Sequence, residues 1–228
     1  MHAETSTGAL QPLQGLAEIV HNHGAVLIVD AVTSLGGIPL LVDEWDLDLV
    51  YSGTQKCLGC SPGLGPVTLS ARAVERLHAR QTPVRNWYLD LSGLEKYWGP
   101  ERVYHHTAPI SALYGLHEGL RLVAEEGLEG RWERHRRHAE LFWEGLEAID
   151  LVCHVPPQNR LPSLTTVRIP QGVDDLQVRK RLLEEYNIEV AGGFGELKGV
   201  VWRVGFMGYS SRQENVRLLL KALEELVR

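Results

Sequence analysis

Apolar positions along this chain recur at two spacings, and the two alternate. Leu13, Leu16, Ile19 and Val20 lie three or four residues apart, which predicts a helix over residues 12–23 stopped by His23 and Gly24. The next run, residues 25–30 (AVLIVD), is apolar without polar alternation and ends on an acid, the pattern of a strand buried on both faces. Residues 46–52 predict a second short strand, and residues 63–70 a third, as half of a hairpin or a sheet edge. Helical patterns cover 71–80 and 109–126, separated by a polar, aromatic-rich stretch over 82–106 with few periodic signals.

The pattern changes near Gly127. A long amphipathic helix is expected over 128–149. A half-exposed alternating strand follows over 164–169, a helix over 178–186, short strands at 188–190 and 200–205 around a glycine-rich turn (residues 192–195), and a closing helix over 212–227. Helix–strand alternation predicts an α/β fold with a mainly parallel sheet for residues 1–126. The order in residues 127–228 predicts a smaller α+β domain.

Composition narrows the function classes. With 23 Lys and Arg against 29 Asp and Glu, the net charge is -6, and no basic face for nucleic acid can be inferred. The basic run at 131–137 reads as a solvated helix face. No apolar run is long enough to span a bilayer, and the first residues lack the basic and apolar regions of a signal peptide. The last residues carry no peroxisomal address, so a cytoplasmic protein that does not engage membranes is expected. Cys57 and Cys60 form a C-x-x-C spacing with no second pair to complete a zinc site; with Cys153, three reduced thiols and no metal are expected.

Two residues stand out chemically. Asp30 closes an apolar strand, where α/β sheets place their ligands, and a carboxylate there needs a cationic or hydrogen-bonding partner; capping a helix is the simpler role. Lys56 follows 26 residues later, after the next strand and the small-residue turn Ser52-Gly-Thr-Gln. A lysine partly removed from water in such a turn is nucleophilic toward aldehydes, although most single lysines are solvated surface charges. An acid at one strand end and a lysine at the next suit a cofactor with a ring nitrogen and an aldehyde.

Five motifs give this pairing a context: HAETSTG at 2–8, VDAVTSLGG at 29–37, YSGTQK at 51–56, YHHT at 104–107 and WRVG at 202–205. In this order and near these spacings they resemble the class V branch of fold-type I pyridoxal-phosphate (PLP) enzymes, close to the alanine–glyoxylate and serine–pyruvate aminotransferases. The resemblance implies that Lys56 binds the PLP aldehyde and shuttles a proton, and that Asp30 pairs with the ring nitrogen. It implies that Val32 packs on the ring, that Thr5 and Gln55 hold the cofactor and its phosphate, and that Arg203 clamps the substrate carboxylate. Tyr104 and Thr107 would reach a neighbour's cofactor phosphate across a homodimer interface. Substrates would be a small amino acid (alanine or serine) and a 2-oxo acid (glyoxylate or pyruvate). Residues 85–98 would contribute to choosing between them.

Two other readings stay open. A cysteine desulfurase would need a mobile nucleophilic thiol, and family desulfurases usually carry His where this chain has Gln55. A non-catalytic dimerisation or partner-binding remnant is the other, because the resemblance starts inside the large domain. The phosphate-binding turn and the ring-stacking aromatic residue of the family are then expected outside residues 1–228, and PLP is expected to bind this chain weakly.

Overall fold

The structure, a computed structural model, describes residues 1–227. It opens with a short antiparallel hairpin, β1 (Ala3–Glu4) and β2 (Ala9–Leu10). No periodicity in the sequence marks this hairpin. The Glu4 carboxylate ties its turn by accepting from the N–H groups of Ser6 and Thr7 (2.8 and 2.6 Å). Helix α1 (Leu16–Asn22) begins later than expected, because Gly15 at its N-terminal cap is left-handed (φ 78°).

β3 (Ile28–Asp30), β4 (Leu49–Tyr51) and β5 (Val67–Leu69) form a sheet in the order β3-β4-β5. β3 and β4 run parallel and β5 joins antiparallel as an edge, so the parallel character is confined to one pairing. Val29 and Val50 bury themselves against Leu13, Ala31 and Leu47. The opposite face is open: Ile28, Tyr51 and Val67 are 57%, 39% and 43% exposed. The expectation of a strand buried on both faces is therefore corrected. Among the described residues, helices and loops cover only the Val29 side.

α2 (Ala71–His78) is capped by Ser70, whose hydroxyl accepts from Ala73 N–H. The stretch without periodic signals contains a helix, α3 (Leu91–Trp98), started by Asp90 accepting from Ser92 N–H. α4 (Ile110–Glu126) and α5 (Leu128–Ala148) meet at Gly127, whose φ of 77° breaks the helix in a conformation that favours glycine.

The remaining chain builds an antiparallel sheet, order β6-β8-β7, from β6 (Leu164–Arg168), β7 (Ala191–Gly192) and β8 (Val201–Gly205), with α6 (Asp175–Tyr186) and α7 (Gln213–Val227). Three expectations are corrected here. β6 is buried from Leu164 through Val167, not half-exposed. Trp143 donates to the Thr165 hydroxyl on one side, and the Thr166 hydroxyl donates to the Thr7 carbonyl on the other, so both faces are covered. Second, residues 188–190 form no strand. Pairing with β8 starts at Ala191, opposite Arg203, while Val190 turns into the core. Third, α6 starts at Asp175, where Asp174 caps it, and not at Val178.

The largest hydrophobic cluster, centred on Phe142, Leu182, Trp202, Val216 and Leu223, draws all its buried members from residues 142–223. Polar ties join it to the earlier elements. Arg131 Nη2 donates to the Cys57 carbonyl (2.6 Å) and Ser163 Oγ to the Thr33 carbonyl (3.1 Å). His135, fully buried, accepts from Gly208 N–H at Nε2 (3.0 Å) while its Nδ1 faces the Arg131 carbonyl (2.8 Å). No helix among the described residues is long and apolar enough to cross a membrane, and no group of three or more His, Cys, Asp and Glu among them is arranged to hold a metal ion.

Candidate functional site

Because β3 and β4 are parallel, their C-terminal ends lie on the same sheet edge, the place where α/β sheets bind ligands. Asp30 ends β3 directly opposite Tyr51, which ends β4. The Asp30 carboxylate is fixed on both oxygens: Oδ1 accepts from Val32 N–H (2.9 Å) and Oδ2 from the Tyr51 hydroxyl (3.0 Å). The hydrogen bond to Asp30 is also the main reason the Tyr51 phenol is raised above its ordinary value, with burial and the Asp30 charge adding to it; Tyr51 therefore stays a donor. Sequence reasoning missed Tyr51. Its signal was present, since a period-two strand puts residues 49 and 51 on one face and parallel register places 51 beside 30.

Five residues past Tyr51, Lys56 sits half-buried at the head of a tight turn whose Gly59 N–H bonds back to the Lys56 carbonyl (2.9 Å). The turn is braced beneath: Ser52 Oγ donates to the Ala31 carbonyl (3.0 Å), and Cys60 N–H donates to the Thr54 carbonyl (3.0 Å). Gln55 is exposed, its amide lying over Gly53; a Cβ there would stand 2.8 Å from Gln55 Oε1, so glycine leaves the amide its room. Thr5 occupies the β1–β2 turn, and that hairpin is joined to Asp30 by His2 N–H donating to the Asp30 carbonyl (2.9 Å). Asp30, Val32, Gln55 and Lys56 thus share one sheet edge, with Thr5 on the adjoining hairpin.

Tyr104, Thr107 and Arg203 stand apart from this group, with no hydrogen bond to it among the described residues. Tyr104 and Thr107 are exposed and their hydroxyls bond each other (2.8 Å). A ring stack, which the local reading of a loop with stacked aromatics already allowed, holds them: Trp87 against His105 (4.3 Å between centroids), Tyr88 against His106 (4.6 Å) and Tyr97 edge-on to Tyr104 (5.7 Å). Arg203 lies on β8, aimed by its Nε donating to the Gly192 carbonyl (2.8 Å).

The C-x-x-C pair is neither disulfide nor reactive dithiol. All three cysteines are free. Cys57 is fully buried and burial pushes its thiol up to about 11; it donates to the Thr33 carbonyl, whereas Cys60 turns toward the carbonyls of Leu58 and Gly115. A second polar cluster, also missed, surrounds Asp48 at the other end of β4. Burial would raise this acid, but donors from Leu27 N–H, His21, Arg72 and Ser70 prevail and hold it at about 2. It fastens α1 and α2 to the sheet, away from the Asp30–Lys56 edge.

The residues present fit a pyridoxal cofactor. An amine stands ready for an aldehyde, an oriented carboxylate for a protonated ring nitrogen, and hydroxyl and amide groups for a phosphate.

Comparison with known proteins agrees. A family model described as "Aminotransferase class-V" matches residues 1–218. The chain is 41% identical over its whole length to (S)-ureidoglycine–glyoxylate transaminase of Bacillus subtilis, and 42% identical over 98% of its length to alanine–glyoxylate aminotransferase of Callithrix jacchus. Those alignments cover 59% and 55% of the two relatives, so the chain spans little more than half their length. Among solved structures, alanine–glyoxylate aminotransferase from Nostoc sp. superposes with a TM-score of 0.97 at 58% identity, covering all of this chain and 60% of that one.

Proposed function

We propose that this chain, which belongs to the class-V aminotransferase family, carries the lysine-bearing part of an enzyme that transfers an amino group from a small amino acid to glyoxylate. The observation that carries the reading is the parallel pairing of β3 and β4. It brings the fixed Asp30 carboxylate and the Lys56 turn to one edge of one sheet. Bound there, PLP would supply an electron sink for the bond-breaking step. Lys56 would hold the cofactor through its amine and move the proton at the substrate Cα. Asp30, kept in place by Val32 N–H and Tyr51, would keep a proton on the ring nitrogen. Arg203 would bind the substrate carboxylate through the nitrogens its Nε contact leaves free.

Glyoxylate as acceptor is better supported than any one donor. The two relatives share glyoxylate in their names and differ in alanine against ureidoglycine. Pyruvate as acceptor and serine as donor remain within the same chemistry. The family resemblance supports a homodimer in which the exposed Tyr104 and Thr107 would serve the neighbour's phosphate site. Desulfuration is disfavoured: Cys57 is buried and Cys60 is turned to carbonyl groups. A non-catalytic role is favoured by one observation, the uncovered sheet face on which a cofactor would rest.

The test is borohydride reduction of the folded chain in excess PLP, followed by peptide mass spectrometry. A reduced pyridoxyl adduct on Lys56, absent from Lys56→Ala, is expected. A folded chain with no adduct at Lys56 overturns the catalytic reading in favour of the non-catalytic one.

A further inference from the structure

Arg203 makes no hydrogen bond to the Asp30–Lys56 edge, yet the register of its sheet fixes which way it faces. In the sheet β6-β8-β7, Thr166 lies directly opposite Arg203, so the two side chains leave the same face. The other face belongs to the core. Val167, Trp202 and Val204 enter the large hydrophobic cluster there, and Thr165 accepts from the Trp143 indole. Alternation along the strands therefore keeps Thr166 and Arg203 away from that cluster.

The Thr166–Arg203 face receives the β1–β2 hairpin. Thr166 is buried, and its hydroxyl donates to the Thr7 carbonyl in the hairpin turn. At the next residue the turn comes closer still: a Cβ on Gly8 would stand 2.9 Å from the Leu164 carbonyl oxygen, and the Gly8 carbonyl accepts from Leu161 N–H (3.0 Å). The same turn carries Thr5, and His2 N–H at the foot of the hairpin donates to the Asp30 carbonyl (2.9 Å). On its other side, β6 pairs with β8 along its whole length, from Leu164 to Arg168. Arg203 is held from the far strand by its Nε donating to the Gly192 carbonyl (2.8 Å). A buried threonine hydroxyl needs a partner whatever its function. This one takes its partner outside its own sheet, from the turn that bears Thr5.

We propose that Thr166 is a positioning residue for the carboxylate clamp. Its bond to Thr7 sets the separation between Arg203 and the hairpin beside the cofactor edge. It thereby decides how well the α-carboxylate of a small amino acid is held once the cofactor end is in place. The inference rests on the aminotransferase reading, which gives the carboxylate to Arg203 and the cofactor to the Asp30–Lys56 edge.

The experiment is isothermal titration of the full chain with two compounds. Pyridoxamine phosphate presents the cofactor alone, and the phosphopyridoxyl derivative of alanine adds an α-carboxylate. The ratio of their affinities reads the clamp without any turnover. The alanine derivative is expected to bind the unaltered chain more tightly, and Arg203→Ala to abolish that preference. Thr166→Val keeps the shape and removes the hydroxyl. The preference is then expected to fall about three- to tenfold, the worth of one hydrogen bond, while pyridoxamine phosphate binds as before. Thr166→Ser should restore it. Thr165→Val removes the neighbouring hydroxyl, on the opposite face of the same strand, and should leave the preference intact. Full preference in Thr166→Val overturns the proposal. So does an equal fall in Thr165→Val, which would trace the effect to the strand's stability. Either result spares the aminotransferase reading, because pyridoxamine phosphate still binds. If neither compound binds the unaltered chain, that reading itself fails and takes this proposal with it.

Discussion

Acidifying the solution is expected to loosen this protein through His135. The ring is fully buried, accepts from Gly208 N–H at Nε2 and so carries its proton on Nδ1, toward the Arg131 carbonyl. Burial foremost holds it at about 4, against 6.5 for an unperturbed histidine. A base depressed by folding stabilises the native state fully above 6.5. That contribution is lost as pH falls from 6.5 toward 4, because the unfolded chain takes up the proton first. At about 1.4 kcal/mol per unit, lowering the pH from about 7.5 to about 5 should remove about 2 kcal/mol through this residue alone. Burial also lowers His2 and His138, so the comparison is with His135→Gln, whose amide oxygen can accept from Gly208 N–H without titrating. Urea unfolding followed by circular dichroism at several pH values gives both slopes. The variant should start less stable, having lost the bond to the Arg131 carbonyl, and should lose about 2 kcal/mol less on acidification. Parallel pH profiles for the two proteins would refute the reasoning.

Two further outcomes test the packing and the polar network. Gly193→Ala would drive a Cβ into the backbone carbonyl of Leu197, so a loss of about 2 kcal/mol or more is expected in urea unfolding, with the glycine-rich turn displaced. Asp48→Asn should cost about 2 kcal/mol near neutral pH. This acid is depressed from 3.8 to about 2, so its contribution is present above 3.8 and lost as pH falls toward 2; the gap to the unaltered chain should shrink by about half near pH 3, measured the same way.

What was legible in the sequence follows the range of the forces involved. Asp30 and Lys56 could be read because each closes a local pattern, an apolar strand and a small-residue turn, and the parallel register then aligned them without further information. The long helices α4 and α5 and their break at Gly127 were equally local. α3 was missed although its start is written in the sequence as Asp90 one residue before the helix, a capping signal that the surrounding aromatics obscured. Other misses depend on partners distant in sequence. Nothing near Leu164 announces that Trp143 and Thr7 will cover both faces of β6. Nothing near Ile188 says that pairing with β8 must wait until Ala191. The open face of β3 is the reverse case: the five consecutive apolar residues at 25–29 describe a strand covered on both sides, and the described residues supply one cover.

The division of apolar packing bears on how the chain is made. The cluster drawn from residues 142–223 has fourteen buried members, while the one beneath β3 and β4 has five. A ribosome delivers the poorly cored part first. Within residues 1–228, the sheet with exposed Ile28, Tyr51 and Val67 emerges before the elements that tie down its flanking segments, Ser163 at Thr33 and Thr166 at Thr7. That interval is when chaperones would capture the nascent chain, and when a protease would find its cut sites. Within this stretch the order of synthesis thus runs opposite to the order of apolar packing, so its earlier elements depend on contacts made with later ones.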